Sequence, residues 1–376
     1  MARRSVSQPP VLPGYAYVRP LGSGGFADVF LYEQDMPRRV VAVKVLAADA
    51  INPEVRRTFN AEADVMARLS AHPSILTIYQ AGISADGRPY LATEFCPDSM
   101  SARYKQGRLP LHDVLDTGVR MAAALETAHR AGVLHRDIKP SNILITTLGT
   151  PVLSDFGIAS SLANMDDPDE LIAMSVPWSS PEVVSERSTG SVESEVWSLG
   201  ATLYTLLASR SPFATPDREK NTRELVSARI VKAHYTRIDR PDVPPQVEHV
   251  LARSMAKDPR HRPQSMLQFG EELRWLQAEL GLPQTPLDVS AMQWGTGVRF
   301  DDASTRGQVI TTVNPESRRA VRAGKAPERS VQAEELTPSD QGARRALIRA
   351  GVIGGAIGAV VIAGVVTTLI ATGILG

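Results

Sequence analysis

The amino-acid sequence predicts an α+β fold that ends in a membrane-spanning helix. Residues 20–45 contain a glycine-rich turn followed by a β-rich run, which together predict a hairpin of two strands. Residues 350–376 contain no charged residue, and this length exceeds the ~20 residues that cross a ~30 Å hydrocarbon layer. In the middle of the chain, apolar residues at helical spacing predict helices over residues 55–69, 113–131, 196–207 and 266–280.

The glycine-rich turn and the strand after it carry groups suited to a triphosphate. Gly22, Gly24 and Gly25 have no Cβ to keep the main chain away from phosphates. Lys44 is the one cation in the apolar run and needs a partner to be tolerated there. Glu62 is the predicted partner, because it lies beside the apolar face of the helix predicted after that run.

Polar groups with different chemistry follow on two adjacent loops, residues 135–142 and the Asp-Phe-Gly sequence that begins at Asp155. Asp137 can accept a proton from an attacking hydroxyl group. Asn142 and Asp155 supply the oxygen ligands that Mg²⁺ prefers. Lys139 adds a positive charge where a migrating phosphoryl group would pass. These residue types at this spacing predict a phosphoryl-transfer site.

The order of these motifs resembles that of the eukaryotic-type (Hanks-type) Ser/Thr protein kinases of bacteria, over about residues 12–282. The glycine-rich turn alone is weak evidence, but the full set is specific because each member falls in its expected structural context. The set comprises the glycine-rich turn, Lys44, Glu62, His135-Arg136-Asp137 with Asn142, Asp155-Phe156-Gly157 and Ser180-Pro181-Glu182. The resemblance implies a bilobal protein kinase fold, with a β-rich N-lobe over about residues 12–95 and a mainly helical C-lobe over about residues 96–282.

The resemblance also implies a nucleotide site between the lobes. ATP would lie with its adenine at the hinge around Glu94, and Lys44, held by Glu62, would contact the α and β phosphates. Mg²⁺, with Mn²⁺ as an alternative, would bind Asn142 and Asp155. Thr93 stands at the position that resembles the family's gatekeeper. The implied cofactor-binding residues are Leu21, Gly22, Gly24, Gly25, Val29, Ala42, Lys44, Glu94, Cys96, Asn142 and Asp155.

The family resemblance also implies which residues are catalytic and which hydroxyl groups accept the phosphoryl group. The implied catalytic residues are Asp137, Lys139, Lys44 and Glu62. Lys139 and Ser175 stand where Ser/Thr kinases have the residues that distinguish them from Tyr kinases, so the acceptors are expected to be Ser or Thr hydroxyls of proteins, with autophosphorylation included.

Glu182 and Arg262 match the ion pair that braces the activation segment in this family. That segment lacks Thr and contains Asp166, Asp167, Asp169 and Glu170. One hypothesis is that these carboxylates substitute in part for an activating phosphate beside Arg136. A solvated acidic loop is the alternative.

Two departures from the family pattern bear on activity. Ala27 replaces the third glycine of the turn, and Glu195 stands where the family usually has Asp. The extra methylene of Glu195 must fit a packed site whose carboxylate braces the catalytic loop, so reduced activity is an expectation. This departure supports the alternative function, a membrane-anchored pseudokinase scaffold that binds nucleotide. A small-molecule phosphotransferase is disfavoured by Ser180-Pro181-Glu182, which suggests a protein substrate.

The composition gives no support for a nucleic-acid-binding protein or for a disulfide-stabilised one. The chain of 376 residues has 41 basic and 41 acidic residues, so no global charge favours nucleic acid as a partner. Cys96 is the single cysteine, which rules out an internal disulfide and fits a reducing compartment.

The C-terminal quarter of the chain is expected to connect the kinase domain to a membrane. Residues 283–346 lose periodicity and predict a disordered juxtamembrane linker. Residues 347–376 are then a single transmembrane helix, with a buried hairpin or core helix as the alternative. Arg344, Arg345 and Arg349 precede it, and the positive-inside rule places the kinase domain in the cytoplasm, at the cell membrane.

Several partners follow from the tail. The lipid bilayer is the first, and a basic cluster over residues 318–329 is a further candidate for contact with anionic lipid, although a solvated linker is the alternative. Glycines four residues apart in the span allow a homodimer. Phosphothreonine-binding (FHA-type) proteins are implied by the family resemblance alone.

Overall fold

The computed structural model describes residues 6–24, 27–47, 53–156 and 176–289. All of them belong to the first of two units, Met1–Thr296, and the second unit, Gly297–Gly376, lies outside the described residues. The described part is α+β and bilobal, with a β-rich N-lobe and a mainly helical C-lobe, as the sequence predicts.

The N-lobe is built on a five-stranded antiparallel sheet with the strand order β1-β2-β3-β5-β4. One helix, α1, lies between β3 and β4 in the chain. The predicted hairpin of residues 20–45 therefore belongs to a three-strand meander. The elements are β1 (Tyr15–Ser23), β2 (Ala27–Gln34), β3 (Arg39–Leu46), α1 (Pro53–Leu69), β4 (Ile78–Ile83) and β5 (Pro89–Glu94).

Strand β3 separates the N-lobe core from the cleft because its side chains alternate between two faces. Val41, Val43 and Val45 are fully buried on one face, where they join the aromatic residues of β2. Ala42 and Lys44 lie on the other face and line the cleft between the lobes. The alternation thus places Lys44 at the cleft and not in the apolar core.

The C-lobe consists of helices and a small three-stranded sheet with the order β6-β7-β8. Short 3₁₀ turns occur at Pro140–Asn142, Val176–Trp178, Arg218–Lys220 and Pro259–His261. The elements are β6 (Asp98–Ser99), α2 (Met100–Gln106), α3 (Leu111–Arg130), β7 (Ile143–Ile145), β8 (Pro151–Leu153), α4 (Pro181–Val184), α5 (Val192–Ala208), α6 (Arg223–Lys232), α7 (Pro245–Ser254) and α8 (Met266–Glu279).

Helix α5 is buried on most sides, as its apolar sequence predicts. Ser191 and Ser194 form a capping box at its start. Helix α7 crosses it at Gly200, where a Cβ atom would overlap the buried hydroxyl group of Ser254. Gly200 is therefore required by the close approach of two helices.

The largest apolar core is continuous between the lobes. Met66 of α1 and Leu76, just before β4, belong to the same buried cluster as Phe156 and the C-lobe helices. The N-lobe sheet has a separate aromatic and valine cluster on its other face. The two lobes are thus held together in part by apolar contacts behind the cleft.

Past α8 the chain stays in contact with the C-lobe. Gly281 turns the chain with a φ of +64°, which agrees with the predicted stop of the helix. Residues 283–289, at the start of the predicted linker, are described, and Thr285 among them is buried. In the described ranges, no helix is both long and apolar enough to span a membrane. The predicted span at 347–376 lies outside them.

We predict that Gly200→Ala lowers the free energy of unfolding by about 1–3 kcal/mol, the usual cost of overpacking a core. The added methyl group would force α5 and α7 apart, and this outweighs the better helix propensity of Ala. Urea denaturation of the purified domain measures the change. Gly107→Ala is the matched control, because Gly107 is extended and has open space around its Cα. Equal midpoints for the two variants would contradict the prediction.

Candidate active site

The loop between α3 and β7 brings three of the predicted catalytic and metal residues together. The carboxylate Oδ2 of Asp137 lies 2.8 Å from Nζ of Lys139. The same oxygen accepts a hydrogen bond of 2.9 Å from Nδ2 of Asn142, which also donates to the Asp137 carbonyl at 2.8 Å. The amide of Asn142 therefore fixes the carboxylate of Asp137. Its Oδ1 accepts from Ser141 Oγ at 3.3 Å and keeps a second lone pair for a ligand.

The backbone of this loop has a left-handed residue, Arg136, with a φ of 66°. Its N–H donates a 2.6 Å hydrogen bond to Oε1 of Glu195, and Oε2 of Glu195 lies 2.6 Å from Nε2 of His129. The side chains of Glu195 and His129 are only 4% and 7% exposed. Both oxygens of Glu195 are thus used, so the extra methylene is accommodated in the packed site.

His135 connects the catalytic loop to the strand that ends before Asp155. Its Nδ1 accepts from the N–H of Asp137 at 3.2 Å, so Nε2 carries the proton and donates to the carbonyl of Ser154 at 2.9 Å. The Phe156 ring is buried with its centroid 4.7 Å from that of His135. These contacts agree with the packing and orienting roles expected for both rings.

Asp155 faces Lys44 across the cleft. Its backbone is left-handed, with a φ of 56°. Nζ of Lys44 lies 2.8 Å from Oδ1 of Asp155, and Ser154 Oγ donates to Oδ2 at 3.1 Å. The ammonium group of Lys44 holds the pKa of Asp155 below its usual range, so the carboxylate is ionised at neutral pH.

The predicted partner of Lys44 is Glu62, which lies in α1. The Glu62 side chain is not among those the structure describes, so its contact with Lys44 stays a prediction. Gly25, Ser175 and the acidic residues 166–170 likewise lie outside the described ranges.

A cavity of about 460 Å³ lies between the lobes and is lined by most of the predicted nucleotide residues. Gly24 and Asn142 are not in its lining. Gly24 instead closes the glycine-rich turn, where its N–H donates to the Ala27 carbonyl at 2.8 Å. The predicted nucleotide-binding residues that line the cavity are Leu21, Gly22, Val29, Ala42, Lys44, Glu94, Cys96 and Asp155.

Sequence reasoning missed some of the cavity walls. Leu144 lines the cavity, as do Met66, Leu76 and Arg19. Strand alternation was an available signal for Leu144, because its neighbours Ile143 and Ile145 point into the core. No comparable local signal marks the others.

The hinge side of the cavity carries a thiol, Cys96, and a carboxyl group, Glu94. Burial raises the pKa of the Cys96 thiol to about 12, with a further contribution from Glu94. The thiol therefore stays protonated at neutral pH and acts as an apolar wall. Burial also raises the pKa of Glu94. Thr93 is 8% exposed and lines the rear of the same cavity.

Glu182 and Arg262 form a bidentate ion pair below the catalytic loop, with N–O distances of 2.7 and 2.9 Å. Burial alone would raise the pKa of Glu182, but the hydrogen bonds and charge of Arg262 hold it below the usual range. Arg262 also stacks over the Trp197 ring, 4.9 Å from its centroid. This fully buried guanidinium fixes α4 against the start of α5.

The chemistry of Asp155 and Asn142 fits a hard divalent cation. A carboxylate and an amide oxygen, on backbone segments joined by the hydrogen bond from Ser154 N–H to the Asn142 carbonyl, are ligands of the kind Mg²⁺ takes. In the described part of the chain, no group of three or more His, Cys, Asp or Glu could enclose a metal. Asp155 and Asn142 are the residues that would hold such an ion.

The fold and this arrangement define a protein kinase domain. Residues 15–271 match the Protein kinase domain family, and the chain belongs to that family. It is 36% identical over 280 residues to the serine/threonine-protein kinase PknK of Mycobacterium tuberculosis, covering 73% of this chain and 25% of PknK.

Two other similar proteins are also named serine/threonine-protein kinases. The serine/threonine-protein kinase PrkC of Bacillus subtilis is 33% identical over 254 residues, covering 66% of this chain and 38% of PrkC. PknF of M. tuberculosis is 33% identical over 276 residues, covering 69% of this chain and 56% of PknF. The match spans between a quarter and about half of these relatives.

We predict that Glu195→Asp lowers the free energy of unfolding by about 1.5–3 kcal/mol, the range for a hydrogen bond to a charged group. The shorter side chain cannot reach both Arg136 N–H and His129 in the present backbone. Chemical denaturation measures the loss, and Glu193→Asp, two residues earlier in α5 and less buried, is the matched control. Unchanged stability in Glu195→Asp would show that the loop relaxes to meet a shorter carboxylate.

Proposed function

We propose that this chain transfers the γ-phosphoryl group of ATP to Ser or Thr hydroxyl groups of proteins, itself included. The observation that carries the proposal is the carboxylate of Asp137, held by Asn142 and Lys139 on the C-lobe side of the cleft. Lys44 of the N-lobe meets Asp155 of the C-lobe in the same cleft. The family membership and the printed names of the relatives support the same reaction class.

Each residue has a defined task in this reaction. Asp137 orients the acceptor hydroxyl and takes its proton, because its carboxylate is fixed by the Asn142 amide. Lys139 neutralises charge at the oxygen that attacks. Lys44 binds the α and β phosphates and is brought to them by the outward face of β3.

Asn142 and Asp155 would hold the metal ion, Mg²⁺ by preference or Mn²⁺. When bound with ATP, this ion supplies positive charge to the β and γ phosphate oxygens. Cys96 and Glu94 lie where the hinge would meet the adenine, and Leu144 with Val29 would sandwich a flat ring. Protein substrates are supported by the buried ion pair of Glu182 and Arg262, which stabilises the platform after the activation segment.

The alternative of a pseudokinase scaffold is disfavoured. The one sequence feature in favour of a scaffold was Glu195, where the family usually has Asp. In the structure, however, Glu195 accepts the hydrogen bond from the Arg136 backbone that holds the loop. Lys44, Asp137, Asn142 and Asp155 are all present at the cleft.

We further propose that residues 347–376 anchor the protein in the cell membrane, with the kinase domain in the cytoplasm. The uncharged apolar sequence and the arginines before it support this placement. Two arginines placed mid-span, as in Val360→Arg with Val361→Arg, would cost about 5–7 kcal/mol of insertion energy. We expect this variant to move from the carbonate-resistant membrane fraction to the supernatant. A wild-type chain extracted by carbonate would contradict the anchor.

We predict that Asp137→Asn lowers kcat about 10²- to 10⁴-fold, because the proton acceptor is lost. Lys44→Met should lower phosphate transfer at least about 100-fold through lost phosphate stabilisation. Transfer of labelled phosphate from ATP measures both, and circular dichroism checks the fold.

The matched controls are Asp113→Asn and Lys105→Met, which change the same residue types at exposed positions. Turnover at the wild-type rate in Asp137→Asn would refute the assignment of that residue. A wild-type protein that binds ATP yet transfers no phosphate would favour the scaffold.

A further inference from the structure

The chain after α8 forms a strap, defined here as residues 282–288, which runs from the end of α8 past α3 to the loop between α1 and β4. We infer that this strap is a positioning element for the nucleotide and metal site. The effect of the strap on ATP binding rests on the proposed function. The claim that the strap fixes the walls of the site rests only on the contacts described below.

The strap is anchored by Thr285, which is 4% exposed. Its N–H donates to Oε1 of Gln277 at 2.9 Å, and Nε2 of Gln277 donates to its hydroxyl oxygen at 2.8 Å. The hydroxyl group in turn donates to Oδ1 of Asp116 on α3, also at 2.8 Å. One threonine thus joins α8 to α3 through hydrogen bonds that are largely shielded from water.

The apolar side of the strap fills the groove between the same two helices. Leu287 packs against Gly270 of α8, where an added Cβ would lie 2.7 Å from a methyl carbon of Leu287. The same position is 3.1 Å from Cβ of Ala122 on α3. Small residues on both helices therefore make room for this leucine.

The end of the strap binds the loop that follows α1. Nε2 of His72 lies 2.7 Å from the carbonyl oxygen of Asp288, and Nδ1 of His72 accepts from the N–H of Ser74 at 3.0 Å. Because Nδ1 is an acceptor, the proton is on Nε2 and is donated to Asp288. His72 is 2% exposed, and this burial lowers its pKa, which keeps the ring neutral.

Backbone hydrogen bonds lead from this loop directly to the site. The carbonyl of Ser74 accepts from Leu153 N–H, and the carbonyl of Leu153 accepts from Leu76 N–H, each at 2.9 Å. Leu153 ends β8, two residues before Asp155, and Leu76 lines the cavity. A shift of His72 would therefore move both the rear wall of the nucleotide cavity and the strand that presents Asp155.

Two substitutions release the strap without touching the residues of the cleft. Thr285→Val keeps the shape of the side chain but removes its hydroxyl group, and Thr285→Ser, which keeps the hydroxyl, is the matched control. His72→Asn retains an oxygen near the place of Nδ1 to accept from Ser74, while nothing reaches the Asp288 carbonyl.

The test uses the full-length chain and two measurements, equilibrium binding of ATP with Mg²⁺ and hydrogen–deuterium exchange of the amides. We expect Thr285→Val and His72→Asn to raise the Kd for ATP about three- to tenfold, the effect of one lost hydrogen bond. The amides of Leu76 and Leu153 should exchange faster in both variants and at the wild-type rate in Thr285→Ser.

The inference is overturned if Thr285→Val speeds exchange in residues 284–288 while Leu76, Leu153 and the Kd stay as in the wild type. Neither measurement depends on phosphate transfer. A wild-type chain that fails to phosphorylate would refute the proposed function, and the exchange at Leu76 and Leu153 would still decide the role of the strap.

Discussion

The geometry of the active site depends on the buried carboxylate of Glu195. A left-handed non-glycine residue such as Arg136 costs about 1–3 kcal/mol and persists only where its surroundings enforce it. Glu195 accepts the N–H of that residue, and His129 occupies the second oxygen. Because the chain turns at Arg136, the His135 side chain is buried against the Ser154 carbonyl, while the Asp137 carboxylate lies beside Asn142 at the cleft. A change at Glu195 would therefore reach Asp137 and the Asp155 segment together.

The lobes are connected by apolar packing and by backbone pairing at the same place. Met66 and Leu76 share a core cluster with Phe156, and Leu76 is also hydrogen-bonded to Leu153. Both connections lie behind the cavity. Inside it, Lys44 on the N-lobe side and Asp155 on the C-lobe side form an ion pair of 2.8 Å, which is a third contact between the lobes.

Local patterns made much of the domain predictable. Helical spacing located α3, α5 and α8 to within a few residues, since an apolar stripe is a property of neighbouring residues. The polar loop was found because its residues lie close in the sequence. The partners of Glu195 and His72 could not be read in this way. His129 is 66 residues from Glu195, and Asp288 is 216 residues from His72. Such pairs are set by the tertiary fold. The sequence shows the chemistry of a polar residue, but it does not identify a partner that is distant along the chain.

The strap also changes how the end of the domain is understood. Residues 283–289 have the Pro, Thr and Asp content of a linker, and composition gave no reason to expect a buried threonine there. The strap rests on a few hydrogen bonds and one leucine, so its release costs far less than unfolding the C-lobe. It also forms the start of the predicted linker, on the side of the domain that leads in sequence to the predicted span. Any event that displaces residue 288 would act on His72 first, and through Leu153 on the carboxylate of Asp155.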